Sequence, residues 1–267
     1  MASLFDFPNQ IYINEILQNS FLSHFYYFFL FLGVLDTTPF YLVICGLVRM
    51  IFPAKIGSRY VYLLSFVLFI STCLKAFFDM PRPGYFNSAL DLVPVGIWEG
   101  FPSGAALGAS IITAIILRHI TNLKGEIIAF LYLFLICLSR IYLGAHFLID
   151  VLGGLFFGAF VWLGFLLLES SLQHLKRPIN GIRFVLISTV CLILMYIAHP
   201  VKPIVELVLM LAAYCCSTLL AEKEKKPPTS VKNILIMLVG LFTSFALTEI
   251  PLPGFKVLGL LFIGLWV

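Results

Sequence analysis

The run Ser139-Arg140-Ile141-Tyr142-Leu143-Gly144-Ala145-His146-Phe147-Leu148-Ile149-Asp150 puts an arginine, a histidine and a carboxylate inside a chain that otherwise avoids polar residues. His146 and Asp150 are four apart, so a helix sets them on one face, one turn from each other. A carboxylate there takes the imidazole N–H, fixes the tautomer and leaves the other nitrogen bare to attack. Arg140 offers a planar fork of donors to an anion. The competing reading is a buried ion pair that only joins two helices. Intramembrane charges are costly and usually functional, which favours chemistry.

Two further stretches add to this set. Lys75 lies seven residues before Arg82, about two helical turns, so both can serve one side of a helix end. Alone, Lys75 reads equally as a snorkelling lysine and Arg82 as a loop cation. In Pro102-Ser103-Gly104-Ala105, Ser103 is a good N-cap, and the N–H groups after it can bind an anion. Three cations, a hydroxyl and a helix N-terminus around one histidine suit a phosphoryl group, with the oxygens neutralised and the histidine in line. No carboxylate cluster calls for Mg²⁺, so neither metal nor cofactor is expected.

The elements that must position these residues are membrane helices. The chain has 267 residues, 61% hydrophobic and 11% charged, with a mean hydropathy of +1.05. Soluble domains carry about 25% charged residues. The expected fold is all-α, a polytopic transmembrane bundle occupying 1–267 as a single domain. Net charge is +4 and scattered, which gives no footprint for nucleic acid. The six cysteines sit in apolar runs without metal-ligand spacing and read as small hydrophobes. The N-terminus has no basic segment before its first apolar run, which argues against a cleaved signal peptide.

Residues 1–20 read as an interfacial lead-in, in which 9–19, with Ile11, Ile13, Ile16 and Leu17 among Asn and Gln, fit either a short helix on the membrane surface or an ordinary lead-in. Phe21 to Phe52 reads as one tilted or Pro-kinked helix. Tyr60–Phe78 is a second span, stopped by Pro81 and Pro83. A polar loop follows, then spans at Ser103–Ile120, Ile127–Leu143 and His146–Leu168, the last with Gly153, Gly154, Gly158 and Gly164 for close packing. Further spans are expected at Ile182–Ala198, Ile204–Leu220, Ile234–Leu247 and Phe255–Val267. A core over 21–200 thus carries the site-bearing region 60–170, and 201–267 supplies about three accessory helices. Twelve of the 17 Lys and Arg fall in alternate connections. By the positive-inside rule the N-terminus is outside, and Lys75, Arg82, Ser103, His146 and Asp150 gather at the outer face.

Lys75-x6-Arg82-Pro83, Pro102-Ser103-Gly104 and Ser139-Arg140-x5-His146-x3-Asp150, in that order, resemble the three-part motif of the type 2 phosphatidic acid phosphatase superfamily. That superfamily includes lipid phosphate and diphosphate phosphatases, glucose-6-phosphatase and vanadium haloperoxidases. The resemblance covers roughly residues 60–170. It implies that His146 attacks phosphorus to give a phosphohistidine and that Asp150 orients it. It implies that Lys75, Arg82, Ser103, Gly104 and Arg140 hold the phosphate oxygens. The family has a histidine after Pro-Ser-Gly, which protonates the leaving oxygen; here that position is Ala105.

Alanine donates no proton, so turnover should fall by about 10²–10⁴-fold, more for an alkoxide than for a diphosphate leaving group. With every other site residue in place, a substitution made in an intact site fits better than a natural relative that lost catalysis. The leading expectation is a metal-independent membrane phosphatase for lipid-linked phosphate or diphosphate. Undecaprenyl diphosphate, phosphatidic acid, sphingoid phosphates and a lipid A phosphate are candidate substrates. A glucose-6-phosphatase-like sugar phosphate hydrolase and a non-catalytic lipid-binding or transport protein are the alternatives. The site would face a periplasm, cell exterior or endoplasmic reticulum lumen, with a bacterial inner membrane favoured. The last three helices could widen a lipid groove, form a homodimer surface or stabilise the bundle.

Overall fold

The computed structural model describes residues 7–35, 38–93 and 99–175, and among these every regular element is helical. The four spans expected beyond residue 181 lie outside the described residues. Eight α-helices follow one another: α1 Phe7–Asn19, α2 Tyr26–Val34, α3 Thr38–Ile51, α4 Ala54–Phe78, α5 Pro83–Phe86, α6 Gly104–His119, α7 Leu123–Tyr142 and α8 Leu148–Leu175. Short 3₁₀ turns occupy Phe21–Phe25 and Ser88–Leu90. Three stretches, Arg59–Phe86, Leu123–Tyr142 and Leu148–Ser170, are long and apolar enough to cross a membrane, and Phe21–Val34 and Gly104–His119 are shorter apolar helices.

The single helix expected over Phe21–Phe52 is corrected. That stretch holds a 3₁₀ turn, then α2, then α3. Pro39 sits one residue inside α3, where its missing N–H is no loss, so it begins a helix rather than kinking one.

Packing divides the chain into two units. The first comprises Met1–Thr37 and Val67–Leu167, and carries all the candidate site residues. Here α6 and α7 pack on each other, and α1 and α2 both pack on α7. Phe29, Leu32, Ala105, Ala109, Ile136, Tyr142 and Leu143 form one buried cluster, with the Phe29 and Tyr142 rings stacked at 4.4 Å. Tyr12, Phe25, Phe28, Phe31, Phe134, Phe156 and Phe160 are exposed, the outward apolar dress of helices whose solvent is lipid. The second unit comprises Thr38–Phe66 and Leu168–Val267. Its described part buries Tyr60, Val61 and Leu64, sets Phe52 edge-on to Tyr60, and joins Arg59 to Glu169 at 2.7 Å.

Glycines bring α8 onto α6. A Cβ on Gly153 would strike the Phe101 ring, one on Gly154 the Ser103 carbonyl, and one on Gly158 the Ser110 hydroxyl. Among the described residues, Gly164 has nothing within 4 Å, unlike the other three.

Candidate active site

Four helix ends build the site. α4 ends at Phe78, ahead of Pro81 and Pro83, and the chain leaves it through Asp79 at φ 46°. α6 starts behind Ser103, whose hydroxyl accepts from the Ala106 N–H at 3.4 Å. α7 ends at Tyr142 and α8 begins at Leu148. Between them Gly144 takes φ 72°, and a Cβ there would strike the Leu90 carbonyl, so only glycine fits. The turn closes with the His146 N–H donating to the Arg140 carbonyl at 3.2 Å.

His146 therefore lies in this turn and not in a helix, which corrects the span expected to start there. The pairing expected from helical spacing arises another way. Asp150, in the first turn of α8, accepts from the Phe147 N–H at 2.8 Å through the same Oδ2 that stands 3.5 Å from His146 Nδ1. That is ion-pair distance rather than a hydrogen bond. Nδ1 makes no hydrogen bond, and the Gly100 backbone lies beside the ring. Both side chains are buried, at 4% and 1% exposure.

Three cations bear on this pair through their charge. Arg82 donates from Nη1 to the Ala145 carbonyl at 2.8 Å, one residue from His146. Lys75 donates from Nζ to the Glu99 carbonyl at 2.6 Å and lies 3.4 Å from the Gly100 carbonyl. Arg140 donates from Nε to the Ser139 hydroxyl at 3.1 Å, and an added Cβ on Gly33 of α2 would meet its Nη2 at 3.4 Å. Burial depresses the His146 pKa well below its ordinary 6.5, and the charges of Lys75, Arg82 and Arg140 push it the same way. All three cations thus act on one imidazole. Carboxylates flank them: burial raises the pKa of Glu99, helped by neighbouring Asp79, while Arg82 and Lys75 pull it down. Asp91, also raised by burial, feels Arg82 too.

Ser103 is fully buried and its N–H donates to the Asp150 carbonyl at 2.8 Å, tying α6 to α8. Gly104 admits the Ser71 hydroxyl, which would lie 2.8 Å from a Cβ there. Ala105 lies instead in the apolar cluster with Phe29, Tyr142 and Leu143, at 2% exposure.

Sequence reasoning allowed a short surface helix where α1 lies and missed its contacts with the site. Asn14, fully buried, donates from Nδ2 to the Ile141 carbonyl at 2.7 Å and the His146 carbonyl at 3.2 Å. Gln18 donates to the Leu90 and Tyr142 carbonyls, each at 2.8 Å. The visible sign was the spacing of Gln10, Asn14 and Gln18, four apart on one helical face.

A family model described as the PAP2 superfamily matches residues 56–173, the stretch that holds all three motifs. Mouse (Mus musculus) sphingosine-1-phosphate phosphatase 2 is 29% identical over 137 residues, which is 49% of this chain. The chain spans only 38% of that relative's length. The crystal structure of Aquifex aeolicus LpxE is 30% identical, with 57% of this chain and 92% of that chain covered, at a TM-score of 0.49. On the match to the family model, the stretch 56–173, which carries all three motifs, belongs to the PAP2 superfamily.

Proposed function

We propose that this protein is a metal-independent membrane phosphatase that hydrolyses lipid-linked phosphate or diphosphate through a phosphohistidine on His146. The reading is carried by Arg82, bonded to the carbonyl next to His146, and by the charges of Lys75, Arg82 and Arg140 felt at that imidazole beside Asp150. Three positive charges at a buried imidazole hold it neutral, the form that attacks. The same charges fit a phosphate dianion and the charge that builds on its oxygens in the transition state. The attacking nitrogen is Nε2, since Nδ1 faces Asp150. Nε2 then bonds to phosphorus as the ester oxygen leaves, and Asp150 holds the cation that forms on the ring. Water attacks the phosphohistidine next and inorganic phosphate departs.

Ala105 leaves the ester oxygen without a side-chain acid, so it takes its proton from water. Turnover of poor leaving groups is accordingly slow in this chain. Ala105→His tests the reading. It should raise hydrolysis of a lipid phosphate monoester by about 10²–10⁴-fold, and much less for a diphosphate, whose leaving phosphate is a weaker base. No hydrolysis of any lipid, diphosphate or sugar phosphate by that variant would end the enzyme reading. The lipid class is favoured over a sugar phosphate by the exposed apolar helices and by the lipid phosphate named in the mouse relative. A series of substrates with shortened tails separates the two, since only a lipid enzyme loses efficiency steeply. Ala105 itself favours a second reading, a lipid-binding protein without turnover. Lipid affinity that survives Lys75→Met and Arg82→Met unchanged would support that reading. We place the site at the outer face of the membrane, from the distribution of basic residues.

A further inference from the structure

We infer that α1 is a positioning element for the nucleophile: the stripe Gln10, Asn14 and Gln18 clamps the turn that carries His146. The inference rests on the phosphatase reading and adds residues from outside its motifs.

A helix C-terminus leaves its last carbonyls without partners, and a helix N-terminus leaves its first N–H groups so. The turn between α7 and α8 has both problems within eight residues, and α1 answers them. Gln18 donates to the Tyr142 carbonyl, and Asn14 to the Ile141 carbonyl, both at the end of α7. Asn14 reaches across to the carbonyl of His146 itself at 3.2 Å. Gln10 accepts from the Ile149 N–H at the start of α8, at 3.4 Å. Gln18 further ties in the Leu90 carbonyl, against which Gly144 packs. One amide thus spans both limbs of the turn, 127 and 132 residues away in the chain. The stripe faces inward while Tyr12 and Ile16 face outward at 62% and 48% exposure. Asn14 is fully buried, with Ile13 and Leu17 packed on the core beside it, which leaves its amide no water to bond instead.

The consequence is geometric. His146 Nδ1 stands 3.5 Å from Asp150, so a small shift of the turn decides whether that pair forms. Misplacement by about 1 Å costs on the order of 10²-fold in rate. Asn14 never touches phosphate, so its loss should weaken steps that need His146 in line and spare those that need only the cations.

The test uses the full chain carrying Ala105→His, in detergent, with a lipid phosphate substrate. Orthovanadate probes the in-line geometry at the histidine, and inorganic phosphate probes the cation site. In Asn14→Leu, close in volume, kcat should fall about 10–100-fold with KM within about threefold. Vanadate inhibition should weaken by a similar factor while phosphate inhibition stays within about threefold. Gln18→Met, which removes two donors but not the one to His146, should show the same split at smaller size. If Asn14→Leu does not fold, Gln18→Met carries the test. Equal weakening of vanadate and phosphate would reduce α1 to a general stabiliser and overturn the inference. So would kcat and vanadate inhibition within twofold of the parent in every folded variant. An inactive Ala105→His parent would instead refute the phosphatase reading, and is read before either variant.

Discussion

At the scale of residues, the proposed function puts the chemistry on a single imidazole whose neighbours set its charge. Lys75 is one of three cations that disfavour the imidazolium. In the Ala105→His background, Lys75→Met should therefore raise the His146 pKa. The neutral attacking form is then lost at a higher pH, and the acid limb of kcat/KM moves up. An acid limb that stays put or moves down would contradict the electrostatic account. Stability follows from the same depressed pKa. Below its ordinary value near 6.5 the unfolded chain takes up a proton that folded His146 refuses. Stability should fall as pH drops below that value, and His146→Ala should flatten the slope, read by thermal denaturation against pH. Ala105 carries a cost of its own. A histidine entering the cluster of Phe29, Tyr142 and Leu143 should destabilise by ~1–3 kcal/mol while speeding turnover. The polar motif residues were legible because each interrupts an apolar stretch. Asn14 and Gln18 were not, because amides on a short N-terminal helix read equally as a membrane-surface face. Their partners are backbone carbonyls, which no side-chain pattern announces.

At the scale of elements, α6 and α8 hold their relation by glycine. Gly154 meets the carbonyl of Ser103, the residue that caps α6 and donates to the Asp150 carbonyl. Gly154→Ala should push α8 from that cap, destabilise by ~1–3 kcal/mol and reduce activity. Gly164→Ala, in open space, should leave activity intact and stabilise by about 0.4–1 kcal/mol. Melting curves and turnover on the two variants check this, and equal effects would remove the packing argument. Sequence could propose four close-packed glycines but not separate them, since spacing does not reveal which face meets a neighbour. Helix boundaries were legible where a cap or proline marked them, as at Ser103 and Pro81. They were not where a turn did the work. Nothing in the apolar run from Ala145 to Leu168 told that α8 begins after His146 and not at it.

At the scale of the whole molecule, helices that reverse direction gather the end of α4, the start of α6, the end of α7 and the start of α8. This brings the candidate residues between 75 and 150 into one region of a bundle that hydropathy alone describes as a row of spans. The all-α class was legible from composition, because a chain so apolar must satisfy its backbone within helices. The break between α2 and α3 was not, because the long apolar run hides a packing boundary. On the proposed mechanism His146 takes the phosphoryl group. The most direct measurement supplies a radiolabelled lipid phosphate to the Ala105→His protein, quenches in alkali and maps the label by peptide. The account predicts label on the peptide carrying His146 and none in the same protein with His146→Ala, which no longer turns over. Hydrolysis that proceeds without label on that peptide, and survives His146→Ala, would contradict it.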